Sequence, residues 1–151
     1  MRYPIGIQTF EQIITGGFSY VDKTALVYQL AHYAKNLFLS RPRRFGKSLL
    51  VSTLQAYFEG KKELFQGLAI EKLETEWETY PVIHIDLSSG KYYQLQNLHT
   101  NLHRILSEYE RLYHIATPTS NPDVYSSRLT NIISAAHQQT GKKVVVLIDE
   151  Y

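Results

Sequence analysis

The chain contains no cysteine. That excludes disulfides, thiolate zinc sites and cysteine nucleophiles together, and it fits a reducing compartment. No apolar run approaches the roughly 20 residues needed to span a bilayer, so a membrane partner is not expected. The start, Met1-Arg2-Tyr3-Pro4-Ile5-Gly6, lacks the apolar core of a secretion signal, and a cytoplasmic protein is expected. Charge of one sign is also scarce. The formal net charge is +2, so bulk electrostatics gives no argument for nucleic acid, and any such argument must rest on local clusters.

What is present suits a folded protein. Hydrophobic residues make up 44% and charged residues 20% of the 151 positions, a balance that favours a globular domain with a core over a disordered chain. Thr9 with Gln12 three residues on is a capping-box pattern, and Gly16-Gly17 is a stop, so one short helix is predicted between them. Asp22 is placed to accept hydrogen bonds from the amides of the next helix, whose apolar positions are Leu26, Val27, Leu30 and Tyr33. The residues from Asn36 to Leu39 read as a strand. Leu50, Leu54, Tyr57 and Phe58 share one face of a helix that Gly60 ends.

From Lys61 to Tyr80 short helical pieces are predicted, with an acidic run that reads as a solvated face. Val82 to Leu87 is rich in β-branched residues and reads as a second strand. Leu95, Leu98, Leu102, Ile105, Tyr109 and Leu112 recur at three- and four-residue steps and predict a long amphipathic helix. Asn121 and Pro122 look like the start of another helix, carrying Leu129, Ile132, Ile133 and Ala136 and ending at Gly141. Val144 to Ile148 is a continuous apolar run, as in a strand covered on both faces. Strands alternating with helices imply an α/β fold with a mainly parallel sheet.

The chemistry centres on Ser40-Arg41-Pro42-Arg43-Arg44-Phe45-Gly46-Lys47-Ser48. A strand, a tight loop ending Gly-Lys-Ser and a helix form the phosphate-loop arrangement. Backbone amides at a helix N-terminus match the charge of a triphosphate. Gly46 lets the backbone pass close to the phosphates. Lys47 reaches the outer phosphates as a mobile point charge. Ser48 offers a hard oxygen to Mg²⁺. The usual pattern has glycine where Arg41 stands, so Pro42 must help set the turn. Arg43, Arg44, Phe45, Gly46, Lys47, Ser48 and Leu49 are the expected nucleotide-binding set. For Arg41, Arg43 and Arg44 an exposed solubilising turn, or contact with a nucleic-acid backbone, are the alternatives.

The final strand ends in Asp149-Glu150, where ligands bind in open parallel sheets. Asp149 is expected to hold Mg²⁺ with Ser48, and Glu150 to polarise the attacking water as general base. ATP and Mg²⁺ are therefore the expected cofactors, with Glu150 and Lys47 as the catalytic pair. His99 and His103, one turn apart on the long helix, lack the glutamate of a zinc protease motif and read as ordinary helix residues.

Tyr20-Val21-Asp22-Lys23-Thr24, then Arg41 to Ser48, then a strand ending Asp149-Glu150-Tyr151, resembles the predicted AAA-ATPase-like proteins common in gut and oral bacteria. The resemblance covers nearly the whole chain, and the arginine in place of the first glycine is typical of that family. It implies a three-layer α/β/α P-loop fold of the branch with an added catalytic glutamate. It also implies a further strand between the loop strand and its neighbour, with Val82 to Leu87 lying further out. On this resemblance residues 1–151 are the N-terminal part of the P-loop domain, incomplete after the Asp-Glu strand. Full-length members continue with further strands, a sensor region and often a nuclease-like domain, a second route to nucleic acid.

Overall fold

A computed structural model describes residues 2–33, 35–40, 42, 45–87, 95–118 and 121–149. The chain divides into two compact units, Met1–Thr79 and Tyr80–Tyr151. Among the described residues no helix is long and apolar enough to cross a membrane.

The first unit is built from helices. α1 spans Phe10–Thr15, α2 Thr24–Tyr33 and α3 Lys47–Phe58; a 3₁₀ turn at Lys62–Phe65 leads to α4, Ile70–Leu73. Their apolar faces meet in a core of Phe10, Val27, Ala56, Tyr57, Leu64, Phe65 and Ile70. The core is unusually aromatic. Phe10 and Phe65 lie 4.8 Å apart between ring centroids, Phe65 and Trp77 5.2 Å, and Tyr57 meets Trp77 at 5.7 Å and 68°. Tilted and edge-on pairs of this kind add to the stabilisation from burial alone.

The start of α1 is solved differently from the predicted capping box. Thr9 has the extended backbone of a cap but its side chain makes no capping hydrogen bond. The Phe10 N–H, which a cap at Thr9 would not reach, donates to Ser52 Oγ of α3 at 3.0 Å and ties two helices together. Asp22 does act as predicted: its Oδ1 accepts from Thr24 N–H at 2.9 Å and from Thr24 Oγ1 at 2.6 Å.

The predicted strand at Asn36 to Leu39 does not form. Residues 37–40 are irregular, and Leu37, Phe38 and Leu39 are 54, 84 and 40% exposed. A strand exists only through a ladder to a neighbour, and no described residue of this unit is in a strand. Among the described residues of its own unit the apolar run therefore has no strand to pair with.

The second unit carries the sheet. β1, Val82–Asp86, runs parallel to β2, Val145–Asp149, with Val82 opposite Val145 and Asp86 opposite Asp149. Parallel strands need a long crossover, and α5, Leu95–Leu112, and α6, Tyr125–Thr140, supply it. Ile83, Ile85, Ile105, Leu106 and Ile132 form the buried core, with Leu102, Tyr109, Leu129, Ile133 and Val146 packed around it. The predicted stripe of α5 holds in its middle, but its ends project: Leu95 is 70% and Leu112 61% exposed.

α5 also closes the outer edge of β1. The Tyr109 hydroxyl accepts from His84 N–H at 2.8 Å and donates to His84 C=O at 3.3 Å, satisfying backbone groups that an edge strand would otherwise leave open. α6 starts at Tyr125 rather than at Pro122. Asn121 C=O is taken by Val124 N–H in a turn, and Pro122 C=O by Arg128 Nη1 at 2.8 Å. A side chain from inside the helix thus occupies the carbonyl that would have opened it.

That side chain has the largest volume among those with almost no exposure. Arg128 and Glu110 are each 1% exposed. Arg128 Nε donates to Glu110 Oε1 at 2.7 Å and Nη2 to Oε2 at 3.0 Å, a two-pronged pair. Ser107 Oγ, His103 Nδ1 and Pro122 C=O take other guanidinium contacts, and Thr117 Oγ1 donates to Glu110 Oε2. Burial pushes the Glu110 carboxyl up, but hydrogen bonds from Arg128 and Thr117 outweigh it and hold the group below its ordinary value.

Candidate nucleotide-phosphate site

The site is best built from Gly46. Its backbone stands at φ +75°, ψ +22°, the left-handed region, and it is the N-cap of α3. An L side chain is strained in that conformation. Among the described residues a Cβ added there meets nothing within 4 Å. The sharp turn passes directly into helix, with Leu50 N–H donating to Gly46 C=O at 2.9 Å. The amides of Lys47, Ser48 and Leu49 consequently have no acceptor inside the helix.

Charge adds to this. α3 is twelve residues long and has no acidic residue in its first turn. It begins with a lysine, at the end where the helix dipole is already positive. A cation there is unfavourable for an isolated helix and becomes favourable once an anion sits against the turn.

Other elements hold the first turn in place. Leu49 C=O accepts from Ser52 Oγ at 2.9 Å and from Thr53 Oγ1 at 2.7 Å. Ser52 is tied to α1 through Phe10 N–H, and Thr53 is 1% exposed. Tyr20, from the segment before α2, is pushed up in pKa mainly by burial, with a hydrogen bond to Thr53 acting against it. Sequence reasoning missed this support, although a Ser-Thr pair one turn into the helix was visible.

Phe45 is 65% exposed, and Lys47, Ser48 and Leu49 are half-buried. Arg41, Arg43 and Arg44 lie outside the described residues, as does Glu150. Asp149 ends β2 and is 3% exposed. Asp22, in the segment resembling the family, is engaged locally: besides Thr24, its Oδ2 accepts from Ala69 N–H at 2.7 Å. Burial pushes this carboxyl up, but the bonds from Thr24 and Ala69 prevail and lower it.

Ser48 offers a hydroxyl and Asp149 a carboxylate, both oxygen ligands of the kind Mg²⁺ takes. Among the described residues no three His, Cys, Asp or Glu side chains converge into a metal cage. Mg²⁺ ordinarily needs none, being held by one or two carboxylates together with substrate phosphates. His99 and His103 are otherwise engaged: His99 Nδ1 pairs with Tyr125 OH at 2.9 Å and His103 Nδ1 with Arg128.

No solved structure matches the chain. A curated relative, described as "Uncharacterized protein in vnfD 5'region" from Azotobacter chroococcum mcd 1, is 40% identical over 152 residues. The match takes in 99% of this chain but only 29% of that relative's length. A family model described as "Predicted AAA-ATPase" matches residues 4–151. That match spans nearly the whole chain, and the chain belongs to the predicted AAA-ATPase family.

Proposed function

We propose that the chain is the nucleotide-binding core of an Mg²⁺-dependent ATPase with a three-layer α/β/α P-loop arrangement. The observation that carries this is the Gly46 turn. A left-handed glycine hands over directly to a twelve-residue helix whose first turn presents three amides, a lysine and a serine, and no acid. Such a turn suits a compact polyanion, and the family assignment supports ATP as that polyanion.

In this reading the amides of Lys47, Ser48 and Leu49 and the Lys47 ammonium hold the phosphates. Arg43, Arg44 and the exposed Phe45 flank them. Ser48 and Asp149 hold Mg²⁺, which supplies charge neutralisation at the terminal phosphate. Glu150 orients water for attack on that phosphate. Phosphoryl transfer asks the protein mainly for positioning and charge stabilisation, and the braced first turn of α3 supplies the positioning. Arg41 in place of the first glycine supports a second reading, a nucleotide-binding switch with little hydrolysis.

The experiment is ATP turnover by a full-length version and its Glu150→Gln variant. A large loss on substitution is expected. Equal turnover in both removes the catalytic assignment, and binding without turnover in the parent favours the switch.

A further inference from the structure

α3 carries a serine that serves two elements at once. Ser52 is half-buried and lies one turn past the amides of Lys47, Ser48 and Leu49. Its Oγ accepts from Phe10 N–H at 3.0 Å, and two carbonyls lie within reach of its proton, Leu49 C=O at 2.9 Å and Gln8 C=O at 3.4 Å. A hydroxyl has one proton to give, and the shorter contact takes it. Back-bonding of a serine to its own helix is commonplace. What is not local is the donor on the other side of this hydroxyl, the first amide of α1, 42 residues away.

The bonds continue without a break. Leu49 C=O, which also accepts from Thr53 Oγ1 at 2.7 Å, belongs to the peptide whose N–H is that of Leu50. Leu50 N–H donates to Gly46 C=O at 2.9 Å. Gly46 C=O in turn belongs to the peptide whose N–H is that of Lys47. The run is therefore Phe10 N–H to the Ser52 hydroxyl, to the Leu49–Leu50 peptide, to the Gly46–Lys47 peptide. Every bond in it points the same way. Hydrogen bonds in such a chain polarise one another, by about 10–30% per bond, because a peptide that accepts at its oxygen is a stronger donor at its nitrogen. The run ends on Lys47 N–H, at the positive end of α3.

We infer that Ser52 is a positioning residue for phosphate binding: it joins the first amide of α1 to the Gly46 turn, so that docking of α1 and capture of an anion by Lys47 N–H reinforce each other. This deepens the nucleotide reading given above and rests on it. Such coupling is reciprocal. A docked α1 strengthens the grip on the phosphates, and bound phosphate tightens the Phe10 anchor. The Phe10 ring is held independently, against Tyr20 and Phe65, so a change at Ser52 cuts the relay and leaves the packing of α1 in place.

The test pairs calorimetry of a non-hydrolysed ATP analogue with Mg²⁺ and hydrogen exchange of the peptide that carries α1, both on a full-length version. In the parent the analogue is expected to slow exchange in α1. Ser52→Ala removes both the acceptor and the donor, and alanine suits a helix interior. It is expected to weaken analogue binding about three- to tenfold and to abolish the slowing. Ser52→Thr, which keeps the hydroxyl, retains both. A parent that binds the analogue with α1 exchange unchanged overturns the proposal, and that measurement needs no variant. So does a Ser52→Ala protein that keeps the parent's affinity or its slowing in α1; a lowered urea midpoint alone assigns Ser52 to the fold. Equal losses in Ser52→Ala and Ser52→Thr also overturn it, because the hydroxyl is then not the carrier. Failure of the nucleotide reading shows separately, as a parent chain that binds no analogue or a Lys47→Ala chain that binds it equally well; either removes the role of Ser52 with it.

Discussion

Replacing Arg128 with methionine leaves Glu110 buried with its counter-charge gone. Both side chains are almost wholly excluded from water, at 1 and 2% exposure, so solvent screening gives little relief. Removing one partner of such a pair costs about 3–5 kcal/mol, chiefly because the remaining charge is stranded. Thr117 still donates to Glu110, which places the expected loss toward the lower end. A loss of about 3 kcal/mol is a large part of the stability of a small unit. Urea unfolding followed by circular dichroism reads it, and hydrogen exchange in peptides from α5 and α6 localises it. The double variant Arg128→Met/Glu110→Met removes both charges and should recover most of the loss, because the cost lies in orphaning rather than in the pair itself. The pH dependence follows from the carboxyl. Its folded pKa lies below the ordinary 4.5, so the parent gains stability from the pair in full above about pH 4.5. That gain fades as the pH falls through the lowered folded value. The Arg128→Met protein should lack this acid slope. A single-variant loss under about 1 kcal/mol, or an unchanged acid slope, refutes the reasoning.

Two further outcomes follow from the first unit. Asp22→Ala removes the acceptor for Thr24 N–H and Ala69 N–H and should lower stability by about 1–2 kcal/mol, seen as a lower urea midpoint, while nucleotide affinity in the folded protein stays within about twofold; a large affinity loss at unchanged stability would place Asp22 against the ligand instead. Gly46→Val forces a β-branched residue to positive φ and should cost about 1–2 kcal/mol and weaken analogue binding by calorimetry, although no described atom blocks the new side chain.

Periodicity was informative wherever a helix had a single apolar face. The middle of α5 and the face of α6 follow directly from residue spacing, and α3 opens at Lys47, directly after Gly46, as expected. Periodicity failed where the deciding partner was distant in sequence. Leu37 to Leu39 has the composition of a buried strand, but composition supplies no ladder. Thr9 has the chemistry of a cap, but its side chain makes no capping bond, and the Phe10 amide beside it is taken by Ser52, 42 residues away. Asn121-Pro122 has the signature of a helix start, but Arg128 claims the Pro122 carbonyl. In each case a side chain or a strand pairing met a backbone or charge requirement that local pattern had assigned to a neighbour. Arg128 itself, an arginine in an otherwise unremarkable helix, gave no signal that it would be buried.

The central claim is that the Gly46 turn and the first turn of α3 receive the phosphates of ATP. It is tested most directly by calorimetry of a non-hydrolysed ATP analogue with Mg²⁺ against the parent chain and Lys47→Ala. Alanine suits the first helical turn at least as well as lysine, so α3 keeps its place and only the cation is removed. Saturable binding by the parent and at least a tenfold loss in the variant are expected, with equal helical content by circular dichroism. Equal binding by the two proteins, or none by the parent, contradicts it.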